Sequence, residues 1–289
     1  MSAGDPLIEV EAVSYAYPEA AEPALRDVSL RVMPGEFLAL VGQNGAGKTT
    51  LAKHFNGLIL PARGSVRVAG QDTRAVATRR LAGIVGYCYQ NPDHQIFSRT
   101  LRREVAFGPT NLGLPADQVA RNVEEALRLV GLLEKADDYP FLLGRGERQR
   151  LAVASILAMG SRILVVDEPT TGLDLRGVRG IMTLLERWNR ELGRTIVVIT
   201  HDINVVAQYV PRTVVMAEGR VVADGPTRQA LTNWAALEMA DVKPPQVTRV
   251  ARRLARYGIP PDVMTVDELA AAIRARLGPV SVSARREEA

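Results

Sequence analysis

The sequence predicts an α/β fold with a largely parallel sheet, because short apolar strands alternate with helical patterns along the chain. Two predicted strands, residues 163–166 and 196–199, are apolar throughout, as expected for strands covered on both faces. Apolar residues then recur at helical spacing from Val178 to Leu192. A third apolar run, residues 37–41, leads into a glycine-rich turn. These observations predict the core of the fold.

Outside this core, the sequence predicts a closing hairpin and an inserted helical unit. Residues 214–223 fit two strands that turn at Glu218-Gly219. Residues 91–160 carry no strand pattern and predict a helical subdomain. We expect residues 1–228 to form the main domain and residues 229–289 to form a small C-terminal helical extension.

The extension is predicted to contain two amphipathic helices. The first follows Pro244-Pro245 and ends at Gly258, with an apolar stripe of Val247, Val250, Ala251 and Leu254. Its arginines fall largely on the opposite face, which either is solvated or contacts anionic lipid or a partner. The second opens with a capping box, Thr265-Val-Asp-Glu268, carries Leu269, Ile273 and Leu277 at four-residue spacing, and stops before Gly278-Pro279. Two helices this short cannot bury both stripes alone, so we expect them to dock on the main domain or on another subunit.

Composition excludes several classes of protein. The 289 residues are 24% charged and 47% hydrophobic, which excludes intrinsic disorder and collagen-like repeats. The net charge of +4 is mild and no basic block stands out, which disfavours a nucleic-acid binder. The single cysteine, Cys88, excludes an intrachain disulfide. The start resembles no signal peptide and no apolar run approaches a membrane span, so we expect a cytosolic chain.

The strongest chemical signal is a phosphate-binding loop at residues 42–50. It follows a strand, opens a helix and fits the pattern G-x-x-x-x-G-K-[ST]. Its glycines let backbone amides surround a polyphosphate at a helix N-terminus. Lys48 is expected to bridge the β- and γ-phosphates, and the Thr49 hydroxyl to bind Mg²⁺. The residues of the loop are Gly42, Gln43, Asn44, Gly45, Ala46, Gly47, Lys48, Thr49 and Thr50.

A pair of carboxylates follows the apolar strand at residues 163–166. Asp167 ends that strand, where parallel sheets bind ligands, and can hold Mg²⁺, usually through water. Glu168 is expected to polarise the attacking water. An isolated Asp-Glu pair is often only a loop charge, but together with the phosphate loop it favours hydrolysis of a nucleoside triphosphate.

With these two motifs the sequence resembles the ATP-binding cassette (ABC) ATPases over about residues 7–225. The resemblance implies a P-loop NTPase fold with an inserted helical subdomain, and ATP and Mg²⁺ as cofactors. It implies that Tyr17 stacks on the adenine, that Gln90 contacts Mg²⁺ and the catalytic water, and that His201 contacts the γ-phosphate. Asp174 resembles part of the family's D-loop, the segment after Glu168, and could equally be only a helix N-cap.

One motif departs from the family pattern. Where the family signature reads Leu-Ser-Gly-Gly-Gln or -Glu, this chain has Leu143, Gly144, Arg145, Gly146 and Glu147. The resemblance implies that ATP is sandwiched between one subunit's phosphate loop and the other's signature. Gly144 lacks the serine hydroxyl, and Arg145 either faces the phosphate as a cation or holds the subunits apart. This asymmetry favours a heterodimer with a second ABC ATPase over a homodimer.

The run Gln-Asn-Pro-Asp-His-Gln-Ile-Phe at residues 90–97 resembles the ATPases of energy-coupling factor (ECF) transporters and related cobalt/nickel importers. The C-terminal helices resemble the ECF extension, which contributes to dimerisation. The resemblance implies an ATPase that couples MgATP hydrolysis to uptake of a vitamin or transition-metal ion. It also implies a membrane scaffold subunit, a substrate-binding membrane component, no nucleic-acid partner, and a peripheral location on the cytoplasmic face of the membrane.

Two alternatives remain at this stage. One is the ATPase of another ABC importer subfamily, from which residues 91–97 and the C-terminal helices are the distinguishing features. The other is a non-transport ABC ATPase acting on ribosomes or DNA, which usually carries two cassettes or a long coiled coil. A metabolic P-loop kinase is nearly excluded, because it would not carry the ordered set of Gln90, Asp174 and His201.

Overall fold

The computed structural model describes residues 4–277; residues 1–3 and 278–289 lie outside the described part. The strands are β1 (Ile8–Tyr15), β2 (Leu25–Val32), β3 (Phe37–Val41), β4 (Arg63–Val68), β5 (Gln71–Asp72), β6 (Val85–Cys88), β7 (Ile163–Asp167), β8 (Thr195–Ile199), β9 (Arg212–Ala217) and β10 (Arg220–Pro226). The helices are α1 (Lys48–Phe55), α2 (Thr78–Ala82), α3 (Leu101–Leu112), α4 (Ala116–Leu129), α5 (Arg145–Leu157), α6 (Leu175–Leu192), α7 (Ile203–Tyr209), α8 (Thr227–Ala230), α9 (Trp234–Met239), α10 (Gln246–Leu254) and α11 (Val266–Leu277).

The main sheet has the strand order β10-β9-β3-β8-β7-β6, with β9 to β6 parallel and β10 antiparallel at the edge. This arrangement confirms the predicted parallel sheet and the closing hairpin. In β3, Leu38 and Leu40 pack into one apolar core while Ala39 and Val41 pack into the other. The sheet is therefore covered on both faces, which explains why its central strands are uninterrupted apolar runs.

A second sheet was not predicted from the sequence. It is antiparallel, in the order β2-β1-β4-β5, and packs with α1 against one face of the main sheet. Val28, Leu30 and Val32 of β2 are buried and alternate with exposed residues. Such alternation is the pattern of a half-buried strand, so the signal for this sheet was present in the sequence.

The helical subdomain lies between β6 and β7 in sequence, as predicted. Helices α3, α4 and α5 pack on one another, and the segment contains no strand within its described residues. Residues 92–94 form one 3₁₀ turn, and Thr100 is the N-cap of α3, where its side chain accepts a hydrogen bond from the Arg103 amide at 3.3 Å. The insertion therefore starts immediately after the segment that carries Gln90.

The C-terminal helices pack on each other and also on the main body. Ala251, Ile259 and Val263 form a small apolar cluster with residues of α11, and Arg228 of α8 binds the Glu268 carboxylate at 2.7 Å. A 3₁₀ turn, Ala255–Tyr257, continues α10 and ends at Gly258 with φ +81°, and the Thr265 hydroxyl caps the second helix, as predicted. The predicted stop at Gly278-Pro279 lies outside the described residues.

Part of the predicted burial in these helices is wrong. Val250 is 44% exposed and Leu277 is 71% exposed, although both belong to the predicted apolar stripes. The two helices meet along a short line of contact, so residues at its margins stay in solvent. Docking on the main body is confirmed for the start of α11, where Met264 joins the main apolar core.

Candidate functional site

The loop between β3 and α1 can be built only with glycine at two of its positions. Gly42 has φ +149°, and a Cβ there would overlap the carbonyl oxygen of Met216. Gly47 has φ +97°, and a Cβ would lie 2.5 Å from the carbonyl oxygen of Ala24. These close approaches curl the loop so that α1 begins directly at Lys48.

Lys48 is buried beneath this loop. Its ammonium donates hydrogen bonds to the carbonyl oxygens of Gly42 at 2.7 Å and Gln43 at 2.8 Å. Burial lowers the pKa of Lys48, and the nearby charges of Glu168 and Asp167 partly oppose that effect. These hydrogen bonds to the loop carbonyls hold the lysine in place.

The hydroxyl of Thr49 donates to the carboxylate of Asp167 at 3.0 Å, which joins the phosphate loop to the end of β7. The hydroxyl of Tyr87 in β6 donates to the same oxygen at 2.9 Å. Burial raises the pKa of Asp167, while these two hydrogen bonds act in the opposite direction. The sequence analysis missed Tyr87, because the sequence of β6 alone does not show which of its side chains points toward the end of the neighbouring strand β7.

Glu168 has φ +48°, an uncommon conformation for a residue other than glycine. Its side chain is 9% exposed and accepts hydrogen bonds from the Thr200 hydroxyl at 3.2 Å and the Thr171 hydroxyl at 3.3 Å. The amide of His201 donates to it at 3.2 Å, and the Nδ1 atom of His201 lies 2.6 Å from it. Such strain at a residue fixed by four contacts is typical of a functional position.

One cleft of about 300 Å³ at the carboxyl ends of β3, β7 and β8 is lined by Lys48, Thr49, Asp167, Glu168 and His201. Tyr17 and Gln90 line the same cleft, so the structure brings together residues from six separate segments. The Tyr17 hydroxyl lies 3.2 Å from that of Thr50. The predicted residues in this cleft are Tyr17, Asn44, Gly45, Gly47, Lys48, Thr49, Thr50, Gln90, Asp167, Glu168 and His201.

A second cavity, of about 680 Å³, adjoins the cleft and contains Gly42 and Gln43. Part of its wall comes from residues 241–246 and Arg249, within the predicted C-terminal extension. The amide group of Gln43 donates a hydrogen bond to the Asp241 carboxylate. The sequence analysis missed this contact, because the two residues are 198 positions apart.

The signature segment lies away from this cleft. Gly144 is the N-cap of α5, and its amide donates to the Glu147 carboxylate at 3.1 Å. Gly146 lies near Leu173, and Arg145 lies against Gly172, where a Cβ would be 2.8 Å from the guanidinium carbon. Asp174 caps α6 by accepting a hydrogen bond from the Gly177 amide at 2.7 Å, and its role as part of a D-loop stays a prediction.

The cleft fits a hard divalent cation bound with a phosphorylated ligand. Thr49 and Asp167 present oxygen atoms side by side, and Gln90 lines the same space. Among the residues that the structure describes, no three His, Cys, Asp or Glu side chains cluster as metal ligands. This donor set matches Mg²⁺, which takes one or two protein oxygens and completes its shell with water and phosphate oxygens.

A phosphate loop at the edge of a parallel sheet, with a helical insertion and a carboxylate beside a histidine, defines an ATPase domain of the ATP-binding cassette class. The chain matches the family described as ABC transporter over residues 25–171, about half its length. It therefore belongs to the ABC transporter family, and its ATP-binding domain is that of an ABC ATPase.

The relatives of this chain include ECF ATPases. The ECF transporter ATP-binding protein EcfA1 of Symbiobacterium thermophilum is 43% identical over 281 residues, covering 93% of this chain and 97% of that protein. The structure of cbiO1 from Clostridium perfringens, described as part of the ABC transporter complex cbiONQ, is 34% identical with a TM-score of 0.74, covering 88% of this chain and 98% of that one. The predicted family and ECF-type resemblance are confirmed.

Two further comparisons concern assembly and length. The ATP-binding cassette MJ0796, a dimer bound to ADP and Pi, matches with a TM-score of 0.68 and 28% identity, covering 76% of this chain and 98% of that one. This chain spans 44% of the length of two ABC transporter ATP-binding proteins, from Caldanaerobacter subterraneus and Methanosarcina acetivorans, which are 44% and 41% identical to it. None of the described helices is long and apolar enough to cross a membrane.

Proposed function

We propose that this chain is the ATP-hydrolysing subunit of an ECF-type importer and couples MgATP hydrolysis to uptake of a vitamin or transition-metal ion. The observation that carries the proposal is the cleft in which Lys48, Asp167, Glu168 and His201 meet. The similarity to EcfA1 along nearly the whole of both chains supports the ECF type.

In this proposal the phosphate loop and Lys48 bind the β- and γ-phosphates, because the loop amides and the ammonium converge where α1 begins. The ring of Tyr17 lies at the cleft wall next to Thr50 and stacks on the adenine. Thr49, Asp167 and Gln90 hold Mg²⁺, which when bound neutralises phosphate charge. Tyr87 keeps the Asp167 carboxylate turned toward Thr49.

Glu168 orients the attacking water and accepts its proton. The hydroxyls of Thr171 and Thr200 fix the carboxylate from one side, and His201 contacts it from the cleft. His201 is 62% exposed while Glu168 is nearly enclosed, so the imidazole can move toward a γ-phosphate without exposing the base. The catalytic residues are then Glu168, His201 and Gln90.

We further propose that ATP closes two ATPase subunits on each other, with the signature of one completing the site of the other. The location of residues 144–147 outside their own chain's cleft, and the dimeric form of the related cassette MJ0796, support this arrangement. Gly144, Arg145, Gly146, Glu147 and Asp174 would then act toward the partner's nucleotide. Because Gly144 offers no hydroxyl, a second and different ATPase is the favoured partner.

We propose the division into a main domain at residues 1–228 and a C-terminal extension at residues 229–289 that contributes to dimerisation. The exposed Val250, Val266 and Leu277 on α10 and α11 support a further contact there. The other partners are a membrane scaffold and a substrate-binding membrane component, which place the chain at the cytoplasmic face of the membrane.

The test is affinity capture of the tagged chain from detergent-solubilised native membranes, followed by mass spectrometry. A second ABC ATPase, a polytopic scaffold and a small membrane protein are the expected companions. The captured assembly is then placed in liposomes for ATP-dependent uptake, with an assembly carrying Lys48→Ala as the matched control. Capture of ribosomes or of soluble proteins alone would overturn the transport proposal, and a scaffold of another importer type would overturn the ECF assignment.

A further inference from the structure

A groove lined by arginines lies outside the nucleotide cleft, between the helical subdomain and α6. Its volume is about 460 Å³, and its walls come from the end of α4, from α5 and from α6. We call it the arginine groove. Its arginines are Arg128, Arg150, Arg176, Arg179 and Arg187.

Helix α6 contributes one continuous face to the arginine groove. Arg176, Arg179, Thr183 and Arg187 follow one another at spacings of three and four residues, so they project from the same side of the helix. The opposite side, which includes Leu185, is buried in the main core. Arg176 and Arg179 are like charges three residues apart and repel each other, so this face weakens the helix unless an anion compensates.

The acidic residues of the chain itself offset little of the positive charge of these arginines. Arg128 pairs with Glu124 and Arg187 with Glu191, both within their own helices and in solvent, where such pairs stabilise little. Within residues 4–277 the structure records no ion pair for Arg150, Arg176 or Arg179, and no carboxylate lines the groove.

The carboxylate that interacts with Arg150, that of Glu147, is already engaged elsewhere. The Glu147 carboxylate binds the Lys135 ammonium at 2.6 Å, and this bond is the main reason that the pKa of Glu147 is lowered; Arg150 adds a smaller effect. Arg150 is half-buried. Its Nε atom is shielded from solvent and donates no hydrogen bond to any described residue. Leaving a buried charged donor without an acceptor costs stability. An acceptor bound beside Arg150 would therefore stabilise the protein.

We propose that the arginine groove binds a small anion that carries two or more phosphate groups. Planar guanidinium groups bind phosphate oxygens in pairs of hydrogen bonds, and guanidinium groups on three helices can hold several oxygens at once. The buried side chains of Val130 and Leu184 line the same groove and exclude water from part of it, which strengthens such bonds. Free polyphosphate and the headgroup of a lipid with two phosphates, such as cardiolipin, share this chemistry.

The test titrates inorganic tripolyphosphate into the full chain by calorimetry, with MgADP in saturating amounts to fill the nucleotide cleft. The variant Arg150→Gln/Arg179→Gln removes one guanidinium from each of two helices. The control Arg121→Gln/Arg220→Gln makes the same change of charge at exposed arginines that do not line the groove. We expect the groove variant to weaken binding at least about tenfold, with a change under about twofold in the control.

If Arg150→Gln/Arg179→Gln fails to fold, Arg176→Gln/Arg179→Gln replaces it, because both of these side chains are exposed on α6. Co-sedimentation of the same variants with cardiolipin-containing vesicles distinguishes the two sources of phosphate. Groove-dependent binding of tripolyphosphate supports a free anion, and groove-dependent binding of vesicles alone supports a lipid headgroup. Equal losses in the groove and control variants, or binding that excess ADP abolishes, would overturn the proposal.

Discussion

Replacement of Glu168 by glutamine tests the chemistry assigned to the cleft most directly. The change keeps the size of the side chain and removes its ability to accept a proton. The contacts of Glu168 tolerate the amide, because the Thr171 and Thr200 hydroxyls can accept hydrogen bonds as well as donate them, and the His201 amide still has an oxygen to bond. We therefore expect the variant to fold and to bind MgATP.

The expected loss is confined to hydrolysis. A positioned general base contributes about 10²–10⁴-fold to a rate, which corresponds to about 3–5 kcal/mol of activation free energy. Since Glu168 contacts hydroxyl groups and His201 rather than Lys48, the affinity for MgATP should change by less than about threefold, below 1 kcal/mol. With binding intact and hydrolysis blocked, the closed dimer should accumulate in ATP.

The assay measures phosphate release at saturating MgATP, equilibrium nucleotide binding, and the dimer fraction by size-exclusion chromatography. Glu218→Gln is a matched control, since Glu218 shares the φ of +48° and is exposed on the hairpin turn. Hydrolysis by Glu168→Gln within about threefold of the unchanged chain would refute the role of Glu168. An equal loss in Glu218→Gln would show that the effect comes from the backbone conformation rather than from the carboxylate.

Three further predictions follow from the same geometry. Gly144→Ser adds an N-cap hydroxyl and should alter the free energy of unfolding by less than about 0.5 kcal/mol. In a mixed dimer it should nevertheless change the single-turnover rate of hydrolysis at the ATP site that this chain's signature completes. An unchanged rate at both sites would place residue 144 away from the γ-phosphate. Asp167→Asn should raise the Tm of the nucleotide-free protein at pH 8, by about 2–4 °C for each kcal/mol that the substitution adds to the free energy of unfolding. Because burial raises the folded pKa of Asp167 above its unfolded value of 3.8, the cost of ionising Asp167 begins above pH 3.8 and is complete above the folded pKa. The gain should therefore shrink as pH falls toward 4, and a gain independent of pH would contradict this account. Gly42→Ala should weaken ATP binding more than tenfold, measured by equilibrium titration, because its Cβ would meet the Met216 carbonyl oxygen; unchanged binding would mean that the loop can move aside.

The sequence predicted those parts of the fold whose signals are local. The central strands are continuous apolar runs, the phosphate loop is a contiguous motif, and Gly258 and Thr265 mark helix ends through their own backbone and side-chain chemistry. Each of these depends on residues within one turn of helix or one strand. The pattern of half-buried strands in β1, β2 and β4 was equally local but was not used.

The remainder depends on contacts between distant segments. Tyr87 reaches Asp167 across 80 residues and Gln43 reaches Asp241 across 198, and in each pair only one of the two residues belongs to a motif. The exposure of Val250 and Leu277 likewise depends on how two helices cross, which a periodic pattern does not determine. Patterns in one sequence indicate which face of an element is apolar, but not how much of that face a neighbour covers.

The position of Arg145 bears on how the two ATP sites of a dimer communicate. Its guanidinium lies against Gly172, the residue next to Thr171, whose hydroxyl bonds to Glu168. The segment proposed to complete the partner's site is therefore in contact with the loop that fixes the base of the chain's own site. A glycine at position 145, as in the family pattern, could not make this contact. The unusual residue therefore joins the signature directly to the loop that bonds Glu168, a contact that does not require Arg145 to face a phosphate.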